Sequence, residues 1–143
     1  VIAFLLLPLS GSVSDQYGRK KTIVPGLSVA AMGLLILAVS SMPFWFILGM
    51  VIYGIGSGIE GPTHVAYVAD ISPQSKQAMA QGLARSIGDF AMLTAPPIVG
   101  LASDYLGTAP VLVTIGLSVL ALSIAFQLFA KESSGTRILS QNK

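Results

Sequence analysis

The chain has no cysteine among its 143 residues, which excludes a disulfide framework, a thiolate metal site and a cysteine nucleophile. Charge is nearly as scarce. Only 10% of residues are Asp, Glu, Lys or Arg, against about 25% in soluble domains, too few to cover a surface that faces water. A single histidine, His64, leaves no serine-histidine-acid arrangement, and no phosphate-cradling lysine loop supports an ATP-driven pump. Nothing points to an enzyme, a cofactor or a metal site. The one basic run, Arg19-Lys20-Lys21, has only Tyr17 as an aromatic neighbour, which argues against nucleic acid as a partner.

What is present is apolar sequence in long runs: 53% of residues are hydrophobic and the mean hydropathy is +0.79. Residues 1–14 carry no charge, and neither do the 38 residues from Thr22 to Ile59. A membrane span needs about 20 apolar residues, so the longer run holds two spans, divided at Ser40-Ser41-Met42-Pro43. The reading is five helices, over 1–14, 23–41, 44–69, 78–102 and 110–130, followed by a polar tail over 131–143. Val1 lies inside an apolar run with no basic segment before it, which reads as a truncation within a membrane helix rather than a signal peptide. Barrel strands would alternate apolar and polar residues, whereas Val111–Leu122 is apolar on every face, and backbone in lipid must satisfy its own hydrogen bonds. The fold class is an all-α, polytopic membrane helical bundle.

Basic residues set the expected orientation. Lys and Arg stand at 19–21, at 76 and at 131, 137 and 143, in alternate loops and the tail. The positive-inside rule places these, and the C-terminus, in the cytoplasm. A repeat accompanies this topology. Gly11-Ser-Val-Ser-Asp15-Gln-Tyr-Gly18 returns as Gly100-Leu-Ala-Ser-Asp104-Tyr-Leu-Gly107, with three helices between the copies. Three helices per repeat, in opposite orientation, is the arrangement of many secondary transporters.

Residues 11–21 resemble the signature loop of the major facilitator superfamily: glycine, three residues, aspartate, a basic residue, any residue, glycine, arginine and further basic residues. The sequence departs at Gln16, where the family has Arg or Lys. Gly58-Ile-Glu-Gly-Pro62 through Asp70-Ile-Ser-Pro73 resembles the family's tenth helix and following loop, and Arg85-Ser-Ile-Gly-Asp89 through Gly100 its eleventh. The resemblance covers about residues 1–130 and implies helices eight to twelve of a twelve-helix fold; helices two to six share the same parity, but residues 95–100 fit the helix-five pattern poorly. It implies secondary active transport of a small solute by alternating access, with the missing N-terminal helices and the lipid bilayer as partners and proton coupling as one option. The other reading is a truncated, non-transporting membrane module that binds another membrane protein.

The resemblance also implies a conformational latch of Gly11, Asp15, Gly18, Arg19, Lys20 and Asp70, in which Arg19 pairs with Asp70. Four glycines and a proline (Gly54, Gly56, Gly58, Gly61, Pro62) either pack helices closely or form a hinge, and Pro96-Pro97 are expected to interrupt and kink the next helix. Glu60 stands deep in a span, where an ionisable group costs about 2.5–3.5 kcal/mol and is a functional hypothesis by default. It binds substrate or proton, or makes a structural hydrogen bond. His64 lies one turn on and can share its face. Arg85 and Asp89, also four apart, form either an intrahelical ion pair or a pair of cavity-facing groups. Glu60, His64, Arg85 and Asp89 are the substrate or proton candidates.

Overall fold

The computed structural model describes residues 18–130. The helix expected over 1–14 and the tail over 131–143 lie outside the described residues, as do Gly11 and Asp15. Four helices make up the described part: α1 (Arg19–Val39), α2 (Pro43–Ile71), α3 (Gln77–Leu106) and α4 (Thr108–Phe129), with a short 3-10 turn at Gln74–Lys76 before α3. No strand occurs among the described residues.

Helix ends follow local chemistry. Gly18 precedes α1 with φ 98° and ψ 144°, and Gly107 sits between α3 and α4 with φ 88° and ψ 152°. These are the only positive-φ residues among those described, and the conformation is open essentially to glycine alone. They are also the last residues of the two repeat copies, so the repeat marks two sites of like backbone geometry. Gly18 lets the chain enter α1 directly at Arg19. The basic run expected in a loop is therefore the first turn of a helix, where the Thr22 hydroxyl donates to the Gly18 carbonyl at 3.1 Å. At the other repeat copy, the gap expected between residues 102 and 110 shrinks to Gly107, whose N–H donates to the Ser103 carbonyl at 2.9 Å. α2 begins with Pro43, where the missing proline N–H costs nothing.

α1 is the centre of the bundle, packed along α2 on one side and α4 on the other. It holds most of the buried apolar residues: Ile23, Ala30, Ala31 and Ala38. Small residues let the α1 and α2 backbones approach. A side chain at Gly33 would meet the Tyr53 backbone, with Tyr53 Cα at 2.7 Å, and one at Gly56 would meet Ala30, with Cα again at 2.7 Å. Gly56 thus serves close packing, one of the two readings its sequence allowed. The same seam brings Gly26 close to Glu60: a Cβ added at Gly26 would lie 3.2 Å from the Glu60 Cβ. Against α4, α1 uses a polar clasp: Ser28 and Ser123 hydroxyls lie 3.0 Å apart, and both donate to the Val24 carbonyl. Ser123 is 1% exposed.

α1, α2 and α4 are each long and apolar enough to cross a membrane. α3 is not among them, although its 30 residues reach about 45 Å. It carries Arg85, Asp89 and Asp104, and none of its residues is buried. Pro96 and Pro97 do not interrupt it, contrary to expectation: the helix is continuous from Gln77 to Leu106. Each proline removes one N–H and leaves a carbonyl, Met92 or Leu93, without its usual donor. The apolar turns on either side still have only their own backbone as partner, and they hold the helical course. α2 likewise runs unbroken through residues 61 and 62.

Candidate functional site

Two groups of polar residues stand apart from the apolar body. The first closes one end of the bundle, where α1 and α3 begin and α2 and α4 finish. Arg19 Nε donates to Asp70 Oδ2 at 3.0 Å, with both side chains largely covered. The link staples the start of α1 to the end of α2. Lys20 Nζ donates to the Ala130 carbonyl at 2.9 Å, so a cation meets the negative end of α4, where the last carbonyls lack helical donors. Gln77 does the same for α2, its side-chain amide donating to the Ala69 carbonyl at 2.9 Å. Gly18, Arg19, Lys20 and Asp70 of the expected latch therefore fall together.

The second group lies deeper, between α2 and α3. A cleft of about 480 Å³ is lined by His64, Val65 and Val68 from α2 and by Gln81, Gly82, Ala84, Arg85, Gly88 and Asp89 from α3. Three of the four substrate or proton candidates share its wall. Glu60, the fourth, is joined to it through His64, whose Nδ1 lies 3.6 Å from Glu60 Oε1. The contact becomes an ion pair when the imidazole is protonated. Glu60 is 11 residues from the end of α2 and Asp89 is 12 from the start of α3, so both stand about 17 Å from that end of the bundle. In a hydrocarbon layer about 30 Å thick, that depth is close to the middle.

The expected ion pair of Arg85 with Asp89 is not formed. Neither makes an ion pair or hydrogen bond among the described residues, and both are exposed to the cleft side of α3. Spacing of four residues permits such a pair without compelling it, because the long Arg85 side chain can extend away from the short Asp89 carboxylate. No three His, Asp or Glu among the described residues come together as metal ligands would.

Gly54 and Gly58 lie inside the continuous α2, with Gly58 buried, and a side chain added at Gly61 would meet no described residue. Several contributors escaped sequence reading. Gly26 braces Glu60 from α1, Gln81 and the valines line the cleft, and Tyr67 stacks edge-on against Phe126 of α4 with ring centres 5.2 Å apart. Each depends on helix register, for which the sequence carries no local signal. Ser123 is no exception: Ser118 stands in the same apolar helix, stays exposed and donates to the Thr114 carbonyl, so a serine there does not by itself announce a partner helix.

Apolar helices that bury small residues between them, with few ionisable groups and most of those gathered at one cleft and one end, define an all-α, multi-pass membrane bundle. The family model for the Major Facilitator Superfamily matches residues 1–141, and the chain belongs to that family. The bacillibactin exporter of Bacillus subtilis (strain 168) is 33% identical over 88 residues, 58% of this chain and 22% of that protein. The class H tetracycline resistance protein of Pasteurella multocida is 26% identical over 139 residues, 97% of this chain and 34% of that protein. The class C tetracycline resistance protein of Escherichia coli is 28% identical over 137 residues, 96% of this chain and again 34% of that protein. The chain thus spans about a fifth to a third of the length of these curated relatives. No solved structure matches it.

Proposed function

We propose that the chain works as part of a longer secondary transporter, supplying helices eight to twelve, and that the α2–α3 cleft contributes to its solute path. The observation that carries this reading is the gathering of His64, Arg85 and Asp89 around one cleft, with Glu60 beside His64. Ionisable groups at membrane depth are costly and mark pathways or relays. Exporters and tetracycline resistance proteins among the relatives support a small solute as cargo, moved by alternating access between the two halves of the fold. Glu60, close to His64, is the group best placed to couple a proton to that movement.

The end cluster completes the mechanism. Arg19–Asp70, Lys20–Ala130 and Gln77–Ala69 tie four helix ends together on the face that carries Lys21 and Lys76, the side expected in the cytoplasm. With Gly11 and Asp15 it forms the latch, holding this end shut in one access state and opening in the other. Gly54, Gly58, Gly61 and Pro62 supply the bending segment of α2.

Transport measured in vesicles tests the reading. Glu60→Gln and Asp89→Asn, expressed at wild-type levels, are expected to lose uptake or efflux; wild-type rates in both remove the cleft from the mechanism. The mass of the native protein tests the larger assignment. About three times the 14.8 kDa of this chain fits twelve spans of about 20 residues plus loops. A native mass of 14.8 kDa would instead favour a membrane module that acts on a partner.

A further inference from the structure

We propose that the α2–α3 cleft takes an amphoteric solute, one that carries an anionic and a cationic group on a partly apolar body. The inference rests on the cleft being a solute site and concerns what that site selects. Arg85 and Asp89 present opposite charges from one helix face, with Cβ atoms about 5–6 Å apart, and neither is engaged by the other or by any described residue. The cleft therefore offers a guanidinium fork and a carboxylate side by side. Glu60 faces His64 at 3.6 Å and does not line the cleft, so Asp89 is the carboxylate that the cleft offers a ligand. A solute with one sign of charge would satisfy one of these groups and strip water from the other without replacing it, which is costly at low dielectric. A solute with both signs satisfies both.

The rest of the wall agrees. Val65 and Val68 face the charged helix from α2 and suit an apolar body. Gly82 and Gly88 stand three residues before and three after Arg85, and a side chain at either would meet no described residue. Glycine is the poorest helix former after proline, and no packing against described residues requires it at these positions. The bare backbone on both sides of Arg85 leaves the guanidinium open to approach. A volume of about 480 Å³ falls within the range of small-molecule sites, about 300–1,000 Å³.

The test uses the native polypeptide that carries this chain, purified in detergent, and a panel on three scaffolds: an aromatic amino acid, an aromatic dipeptide and an amino-substituted polycyclic acid. Each is supplied as the zwitterion, as the N-acetylated anion and as the esterified cation, and Kd is read by titration. The zwitterion is expected to bind roughly ten- to a hundredfold tighter than either singly charged form, the loss that follows one missing charged hydrogen bond. Arg85→Gln should erase its advantage over the cation, and Asp89→Asn its advantage over the anion. Singly charged forms that bind as tightly as the zwitterion, or variants that leave the ratios unchanged, overturn the amphoteric assignment alone. A wild-type protein that binds no member of the panel overturns the solute site itself. Should a variant fail to fold, the wild-type ratios still decide the question.

Discussion

α1 and α3 are both long helices of one bundle, yet they are built for different surroundings. α1 has no acidic residue, buries Ile23, Ala30, Ala31 and Ala38, and meets its neighbours through Gly26, Gly33 and Ser28. α3 has no buried residue, carries Arg85 and Asp89 in its interior, and holds three glycines, Gly82, Gly88 and Gly100, at which a side chain would meet no described residue. In lipid, helices associate by close packing and hydrogen bonds, because the hydrophobic effect drives insertion rather than association. α1 satisfies that rule completely. α3 departs from it along the face that lines the cleft, and the departure is what a solute path requires: polar groups at depth, with space beside them.

The contrast sets the order of effects expected from substitution. Gly33→Leu drives a side chain into the Tyr53 backbone and should cost about 3 kcal/mol, seen as a large fall in the thermal unfolding midpoint in detergent. Gly100→Ala, on α3, should leave the midpoint unchanged or raise it, since no described residue lies within reach of the new methyl group and alanine favours the helix by about 1 kcal/mol. Equal losses at both positions would mean that α3 is packed as tightly as α1. Arg19→Gln and Asp70→Asn should each destabilise the closed end by about 1 kcal/mol, with a double-mutant cycle showing that the two losses are shared rather than additive. Smallest is Ser123→Ala, which removes a buried hydroxyl from the α1–α4 clasp; about 0.6 kcal/mol is the usual scale for such bonds between membrane helices.

Much of this was legible in the sequence because membranes constrain it so strongly. Charge-free runs longer than a bilayer is thick leave few folds open, and the glycine-aspartate-glycine-arginine pattern led to the superfamily. Helix starts were harder. Charge at Arg19-Lys20-Lys21 suggested a loop, but Gly18 turns the chain in one residue and the cations become the first helical turn. Side-chain pairing was harder still. Arg85 and Asp89 have the spacing of an ion pair, and only the structure reveals that they stay apart. The Gly26–Glu60 contact joins residues 34 positions apart and is set by the crossing of two helices, which no local pattern encodes.

The absence of cysteine in the chain gives the decisive measurement. With any cysteine elsewhere in the native polypeptide replaced, Gly88→Cys on the cleft face of α3 and Leu122→Cys on the exposed face of α4 are treated in membranes with a charged, membrane-impermeant thiosulfonate. The reagent attacks only an ionised thiol in contact with water. A wet cleft between α2 and α3 predicts rapid labelling at position 88 and none at position 122. An unreactive thiol at 88, or equal labelling at both, would show that the cleft is closed by protein or lipid and that α3 is not the wall of a solute path.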